Sequence, residues 1–337
     1  MTPMLRTSVR YALCACTCVC LSAATTSVAR AENIQSVGWD RNLVEVKAMS
    51  DPEAMSAWCI GRFRMVLPES LKLTGRSQSI YGVDVRTLPT GSKGAEMLWA
   101  EQLARIRALQ PPEGAQTAVI RRFDLLSNTP AVWYLDSKVF SRSRRLEAMK
   151  TETDHVLLLG SVTDRGREEQ LEALMKIVVK NYVPNVDRGF CVGHGSITSV
   201  PGEIEESRAS FLHAVLPEFD LRFETGTVRE SSTEHPLSEI EAVQKEVSRN
   251  GGQLKVLKRN ARIVADLEGE EGLISLMEAT NAVPTLFYSW HFPGVATRSD
   301  RPQITIKASA KAIHDSELGV VWERLLASVK AVPMALR

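Results

Sequence analysis

A short motif occurs twice in this 337-residue chain and constrains the fold more than any other feature. Ala57-Trp58-Cys59-Ile60-Gly61 opens one copy, and Gly189-Phe190-Cys191-Val192-Gly193 opens the other. Each motif leads through a strand-like stretch to a proline, Pro68 in the first copy and Pro201 in the second. The separation of about 130 residues is the size of a domain and too long for a solenoid repeat. The pattern therefore predicts a chain built from two similar domains.

The apolar periodicity after each motif follows a similar order of strands and helices. In the first half it predicts strands over residues 62–67, 79–87, 117–125, 131–140, 144–150 and 155–161, and helices over 93–109 and 164–181. In the second half it predicts strands over residues 219–223, 254–258, 262–267, 273–278, 285–292 and 303–308, and helices over 236–250 and from 315 onward. Strict alternation of strand and helix is absent, which favours α+β over a parallel α/β sheet. We predict two α+β domains, 32–185 and 186–337, each a mainly antiparallel sheet with two helices.

The first 31 residues have the composition of an export signal. Arg6 and Arg10 precede an apolar run of about 14 residues, which is too short to span a bilayer. Ala29-Arg30-Ala31 places small residues where a signal peptidase reads them, so we expect cleavage after Ala31. The alternative is a lipoprotein box that would acylate Cys16, but the apolar stretch before this cysteine is only a few residues long. We expect an exported mature chain without a stable membrane span.

The charge balance argues against nucleic acid as a partner. The chain has 41 Lys and Arg residues against 40 Asp and Glu residues, a formal net charge of +1. Proteins that bind nucleic acid normally have a clear excess of basic residues.

Two cysteines, Cys59 and Cys191, remain after the predicted cleavage. Two cysteines cannot form a disulfide scaffold or a four-cysteine zinc site. Both lie at the start of apolar, strand-like stretches, where an unpaired cysteine usually packs as a small core residue. We therefore expect two buried thiols. A single disulfide is the alternative, and it requires the two strands to meet within about 7 Å between Cα atoms.

Motifs that carry chemistry are missing from the mature sequence. It contains neither His-Glu-x-x-His nor Cys-x-x-Cys, and Gly193-His194-Gly195-Ser196 lacks the spacing of a hydrolase elbow and predicts a tight turn. Arg142, Arg144 and Arg145 form a basic cluster that predicts an exposed turn. No two of the six histidines have the sequence spacing of a pair of metal ligands. These histidines are His155, His194, His213, His235, His291 and His314. We predict no catalytic, metal or cofactor site, and a protein that is not an enzyme.

Three segments resemble a known family. Trp58-Cys59-Ile60-Gly61-Arg62-Phe63 resembles the opening of the first domain of type VI secretion lipase-immunity proteins, the immunity partners of one class of phospholipase effector. Phe190-Cys191-Val192-Gly193 resembles the opening of the family's second domain. Tyr288-Ser289-Trp290-His291-Phe292-Pro293-Gly294 resembles its late strand pair.

The resemblance implies a periplasmic protein without chemistry of its own. It would bind a cognate phospholipase, its two domains would close on this partner as a clamp, and access to the lipase active site would be blocked. The interface itself is not predicted, although Trp39, Trp133, Tyr134 and the turn over residues 142–145 are conceivable anchors. The alternatives are a periplasmic carrier or envelope scaffold that binds a lipid or a protein, and a hydrolase with an unrecognised site.

Overall fold

The computed structural model describes residues 54–135, 142–186, 188–198, 204–216, 218–230 and 240–333. The predicted signal peptide, with Cys16 and Ala31, lies outside the described residues, as does Trp39. Residues 136–140 and 236–239, at the ends of a predicted strand and a predicted helix, lie outside them as well.

The first half of the chain contains eight long strands and two helices in its described part. The strands are β1 (Met55–Gly61), β2 (Phe63–Pro68), β3 (Leu71–Ile80), β4 (Val83–Pro89), β5 (Val119–Leu126), β6 (Thr129–Tyr134), β7 (Ser143–Thr151) and β8 (His155–Asp164). The helices are α1 (Gly94–Arg107) and α2 (Glu168–Asn181). Helix α2 forms because Leu171, Met175 and Val178 recur at helical spacing on its buried face.

Ten further strands and two further helices follow β8 and α2 in the described part of the chain, and all except β9 belong to the second half. The strands are β9 (Tyr182–Pro184), β10 (Phe190–Val192), β11 (Gly195–Ile197), β12 (Glu205–His213), β13 (Asp220–Gly226), β14 (Gln253–Val264), β15 (Leu267–Met277), β16 (Thr285–Phe292), β17 (Gln303–Lys311) and β18 (Lys330–Ala331). The helices are α3 (Ile240–Arg249) and α4 (Asp315–Ser328), and a 3-10 turn, Ala312–His314, precedes α4. Within the described ranges, every helix is too short or too polar to span a bilayer.

The strands form two antiparallel sheets. Six strands pair in the order β18-β2-β1-β10-β11-β9, and twelve pair in the order β14-β15-β16-β17-β13-β12-β3-β4-β8-β7-β6-β5. The larger sheet continues from one half of the chain into the other, because β12 pairs with β3 over almost its whole length. The prediction of mainly antiparallel sheets with two helices in each half is confirmed. The prediction of a separate sheet in each half is wrong, because both sheets contain strands from both halves. The division into domains at residues 185 and 186 stays a prediction.

Each half of the chain contributes a hairpin to the apolar core of the other half. The hairpin β1–β2 packs with strands β12 to β17 and helix α4, whereas β10 and β11 pack with strands β4 to β8 and helix α2. The buried side chains that are exchanged are Ile60, Phe63, Met65 and Leu67 in one direction and Phe190, Val192 and Ile197 in the other. Because burying a side chain of this size stabilises a fold by about 1.5–3 kcal/mol, each hairpin ties the two halves together.

Three predicted elements differ from the structure. The predicted strand 79–87 is a hairpin, since Tyr81 and Gly82 form a turn with positive φ angles of 57° and 74°. The predicted strands 254–258 and 262–267 are mostly one long strand, β14, which turns into β15 at Ala265 and Asp266. Helix α2 begins at Glu168 and not at Asp164, which ends strand β8.

Candidate functional site

Cys59 and Cys191 are joined in a disulfide where the two halves meet. Strands β1 and β10 pair antiparallel there, and the two Cα atoms lie 5.7 Å apart. The sequence favoured two buried thiols, because an unpaired cysteine at the start of an apolar stretch usually packs as a small core residue. The exchanged hairpins bring the two positions together, so the structure has the bridge that was the alternative.

Two side chains of β3 bind the backbone around this disulfide. Arg76 donates from Nη2 to the carbonyl oxygen of Cys59 at 2.7 Å and to that of Cys191 at 3.4 Å. Gln78 donates from Nε2 to the same Cys191 oxygen at 2.5 Å and to the hydroxyl of Ser207 at 3.0 Å. Burial lowers the pKa of Arg76 to about 10, which still leaves the side chain charged at neutral pH.

The same two side chains line a cavity of about 660 Å³. Strands β3, β4, β6, β7 and β8 and helix α1 supply its walls. Gly160 lies in register between Asp84 of β4 and Glu147 of β7, so the row of three residues has no side chain at its centre. The absence of that side chain leaves space between the two carboxylates.

Glu147 is the hydrogen-bonding centre of this cavity. Its buried carboxylate accepts hydrogen bonds from the hydroxyl of Tyr134, from the amide of Gln102, and from Arg105 at 2.9 and 3.1 Å. The Nε of Arg145 lies 3.3 Å from the same carboxylate. Burial opposes the charge of Glu147, but the bonds from Tyr134 and Gln102 and the charge of Arg105 hold the pKa of this carboxyl below its usual value.

Cations outnumber anions in the cavity lining. Four arginines, Arg76, Arg86, Arg105 and Arg145, face two acids, Asp84 and Glu147. Glu147 is already shared between two of these arginines. The exposed Arg86, in contrast, has no side-chain partner within the described part of the chain. The cavity is therefore a positively charged recess with one arginine open to an incoming anion.

A second polar cluster lies where the β7–β8 turn meets the β10–β11 turn. His155 is fully buried, with Nδ1 at 2.6 Å from Oδ1 of Asp154 and Nε2 at 2.5 Å from the hydroxyl of Tyr182. His194 stacks on His155 with ring centroids 5.0 Å apart and an angle of 20° between the planes. No local spacing in the sequence marks this cluster, because only the tertiary fold brings the two histidines together.

Residues 183–333 match the family model described as the C-terminal domain of Tle cognate immunity protein 4. The resemblance to type VI lipase-immunity proteins is confirmed. No curated protein matches the chain in sequence. The match begins close to the predicted boundary at residues 185 and 186.

Solved structures of immunity proteins share the fold beyond the matched segment. A chain of the crystal structure of the Tle4–Tli4 complex is 18% identical, with a TM-score of 0.69, and the alignment covers 83% of this chain and 98% of that one. The apo structure of TplEi, an immunity protein of the type VI secretion system of Pseudomonas aeruginosa, is 17% identical, with a TM-score of 0.68 and the same coverage. TplEi in complex with an "L" peptide is 16% identical, with a TM-score of 0.64 and again the same coverage. At these identities the likeness establishes the immunity-protein fold.

Two of the three aromatic anchors considered from the sequence lie among the described residues, and both are buried. Trp133 and Tyr134 are 2% and 1% exposed, so neither side chain projects from the surface. The basic cluster is not simply an exposed turn, because Arg144 and Arg145 lie within β7 and Arg145 lines the cavity. Ser196 is buried within strand β11 and donates its hydroxyl to the carbonyl of Val186. The predicted turn is therefore limited to Gly193 and His194, which lie between β10 and β11.

Proposed function

We propose that this chain is a periplasmic immunity protein that binds a type VI secretion phospholipase effector. It would inhibit the effector by blocking substrate access to the active site, and would need no cofactor and no catalysis of its own. The observation that carries the proposal is the family match over residues 183–333. The fold shared with solved immunity proteins over nearly their whole length supports it. Export with cleavage after Ala31 would place the protein where an incoming effector arrives.

The arginine-lined cavity is the part of the described surface that we propose receives the effector. Its lining combines a net positive charge with exposed Arg86 and half-exposed Arg105, whose side chain is 52% accessible. Arginine is prominent among the residues that dominate protein interfaces, because its planar guanidinium binds a carboxylate at two points. The complementary element on the effector would be an acidic side chain or the acidic end of a loop.

Inhibition of lipid hydrolysis tests this function directly. The chain from Glu32 onward is mixed with a candidate cognate phospholipase effector, and hydrolysis is followed against the molar ratio. We expect hydrolysis to stop near one-to-one, with a complex that co-elutes. Unchanged hydrolysis without a complex would overturn the proposal and favour the alternative, a periplasmic carrier or scaffold.

Charge reversal locates the interface in the same assay. Arg86→Glu should weaken inhibition at least about tenfold, because it places a carboxylate at the open cation of the recess. Arg249→Glu on helix α3 is the matched control, since Arg249 is also exposed and lies outside the cavity lining. If both variants inhibit like the unmodified chain, the cavity is not the docking site, although the immunity function stands.

A further inference from the structure

We propose that Asp154, His155 and His194 form a binding site for one divalent transition-metal ion, of which Zn²⁺ is the simplest probe. The candidate ligand atoms of the three residues all lie within 4.8 Å of one another. A mixed set of two imidazoles and one carboxylate suits Zn²⁺ and related ions, whose bonds to these ligands are about 2.0–2.2 Å long. The proposal concerns a site separate from the arginine-lined cavity.

One of the three ligands is held rigidly and two can adjust. His155 is fully buried, whereas Asp154 and His194 are exposed. Ligands of a tetrahedral ion lie about 3.3 Å apart if the bonds are about 2.0 Å long. The 2.6 Å distance between His155 Nδ1 and Asp154 Oδ1 must therefore open by less than about 1 Å. The exposed carboxylate of Asp154 can make this movement without disturbing a packed core.

Tyr182 supplies the support that a metal-binding histidine needs. In metal sites the ligating imidazole usually donates its second N–H to a fixed oxygen, which sets the tautomer and the ring orientation. The hydroxyl of Tyr182 lies 2.5 Å from Nε2 of His155 and can accept such a bond. Metal binding at Nδ1 would move the imidazole proton from Nδ1, where it faces Asp154, to Nε2, where it faces Tyr182. The imidazole stays neutral, because it only exchanges one neutral tautomer for the other.

Two close approaches fix the turn that carries His194. Gly193 has a φ of +68°, and a Cβ on this residue would lie 2.0 Å from the hydroxyl oxygen of Thr87. The backbone N–H of His194 donates to the same hydroxyl at 3.3 Å. The turn is therefore pressed against strand β4, and His194 is held over His155. A metal ion here would connect the second half of the chain to the first at a point outside the disulfide.

The role of His194 distinguishes a metal site from a hydrogen-bond chain that is purely structural. Asp154, His155 and Tyr182 alone could hold the β7–β8 turn in place, and this role does not require His194. A metal ion, in contrast, needs the third ligand. Variants at exposed His194 and Asp154 leave the buried imidazole untouched, so they can be compared without loss of the fold.

The purified chain is first treated with EDTA and dialysed, and zinc binding is then measured by calorimetry. The absorption spectrum of the Co²⁺-loaded chain reports the coordination geometry. We expect one Zn²⁺ per chain and a higher melting temperature with zinc. His194→Ala and Asp154→Asn should each weaken zinc binding at least about tenfold, and Tyr182→Phe should weaken it about 10–100-fold. His314→Ala is the control and should bind like the unmodified chain. No binding, or equal binding by His194→Ala, would overturn the proposal. The titration needs no effector, so its result is independent of the immunity function.

Discussion

Arg62 and Glu205 form a two-point ion pair that connects the two sheets. Nη2 of Arg62 lies 2.5 Å from Oε1 of Glu205, and Nε lies 2.6 Å from Oε2. Both side chains are about 5% exposed or less. Arg62 occupies the turn between β1 and β2 of the smaller sheet, whereas Glu205 begins β12 in the middle of the larger one. The pair therefore fixes the exchanged hairpin against the core that it completes.

Removal of one partner of this pair should be more harmful than removal of both. Glu205→Leu or Arg62→Met alone leaves a buried charge without its main counter-charge, which destabilises by about 3–5 kcal/mol. The double variant buries no such charge, so its loss should be smaller than that of either single variant and far below their sum. Urea denaturation of the four proteins measures the coupling. Additive losses would mean that the pair contributes nothing beyond its separate side chains.

The disulfide should contribute strongly to stability because it closes a long loop. Cys59 and Cys191 are 132 residues apart. Loss of a native bridge typically costs about 2–5 kcal/mol, toward the upper end for long loops. We expect a reductant to lower the free energy of unfolding of the chain from Glu32 onward by about this amount. The double variant Cys59→Ala, Cys191→Ala should show the same loss and no further response to reductant. Two free thiols in the oxidised, denatured chain would contradict the bridge.

The buried carboxylate of Glu147 should make stability depend on acidity. Its folded pKa is below the unfolded value of about 4.3, so the stabilisation is complete above that pH and disappears as the pH falls through the folded pKa. Glu147→Gln should therefore be less stable than the unmodified chain at pH 7, and the difference should shrink in acid. Glu101→Gln is the control, because Glu101 forms an exposed pair with Lys93 worth at most about 1 kcal/mol. Urea denaturation at several pH values measures both; an unchanged gap would contradict this role.

Local patterns in the sequence predicted individual elements well. Strand β16 has the predicted bounds, residues 285–292, and helix α1 differs from its prediction by one or two residues at each end. The failures have local causes. Strand β14 lies at the edge of its sheet, and its residues between Lys258 and Arg262 are mostly exposed. This segment therefore shows no apolar alternation that would mark it as part of a strand. A tyrosine with positive φ at the β3–β4 turn is uncommon, so the turn over Tyr81 and Gly82 carried no clear signal.

Long-range pairing could not be predicted from these patterns. The motif around Cys59 marked the start of one half, but its hairpin completes the core of the other half. The periodicity of apolar residues along the sequence carries no information about which half a hairpin packs against. The same reason hid both polar sites, because Glu147 meets Arg105 and His155 meets His194 only through the tertiary fold. The family resemblance led to the proposed function, whereas the residues alone predicted mainly the secondary-structure elements.

Gly160 offers a test of the cavity that leaves its charges unchanged. A Cβ at this position would lie 3.4 Å from Nη2 of Arg145, the end of a flexible side chain, so alanine fits with little movement. A leucine would project into the cavity between Asp84 and Glu147. Crowding of this kind costs about 1–3 kcal/mol, which a folded chain of this size can usually tolerate.

Filling the cavity should weaken effector binding more than it weakens the fold. We expect Gly160→Leu to inhibit the phospholipase at least about tenfold less well, because the side chain of leucine occupies the space proposed for the effector's acidic group. Gly160→Ala should inhibit almost normally, since it adds one methyl group at the floor of a cavity of about 660 Å³. Hydrolysis titrated against each variant, with urea denaturation of the same samples, separates docking from stability. Full inhibition by a folded Gly160→Leu would place the effector elsewhere on the surface.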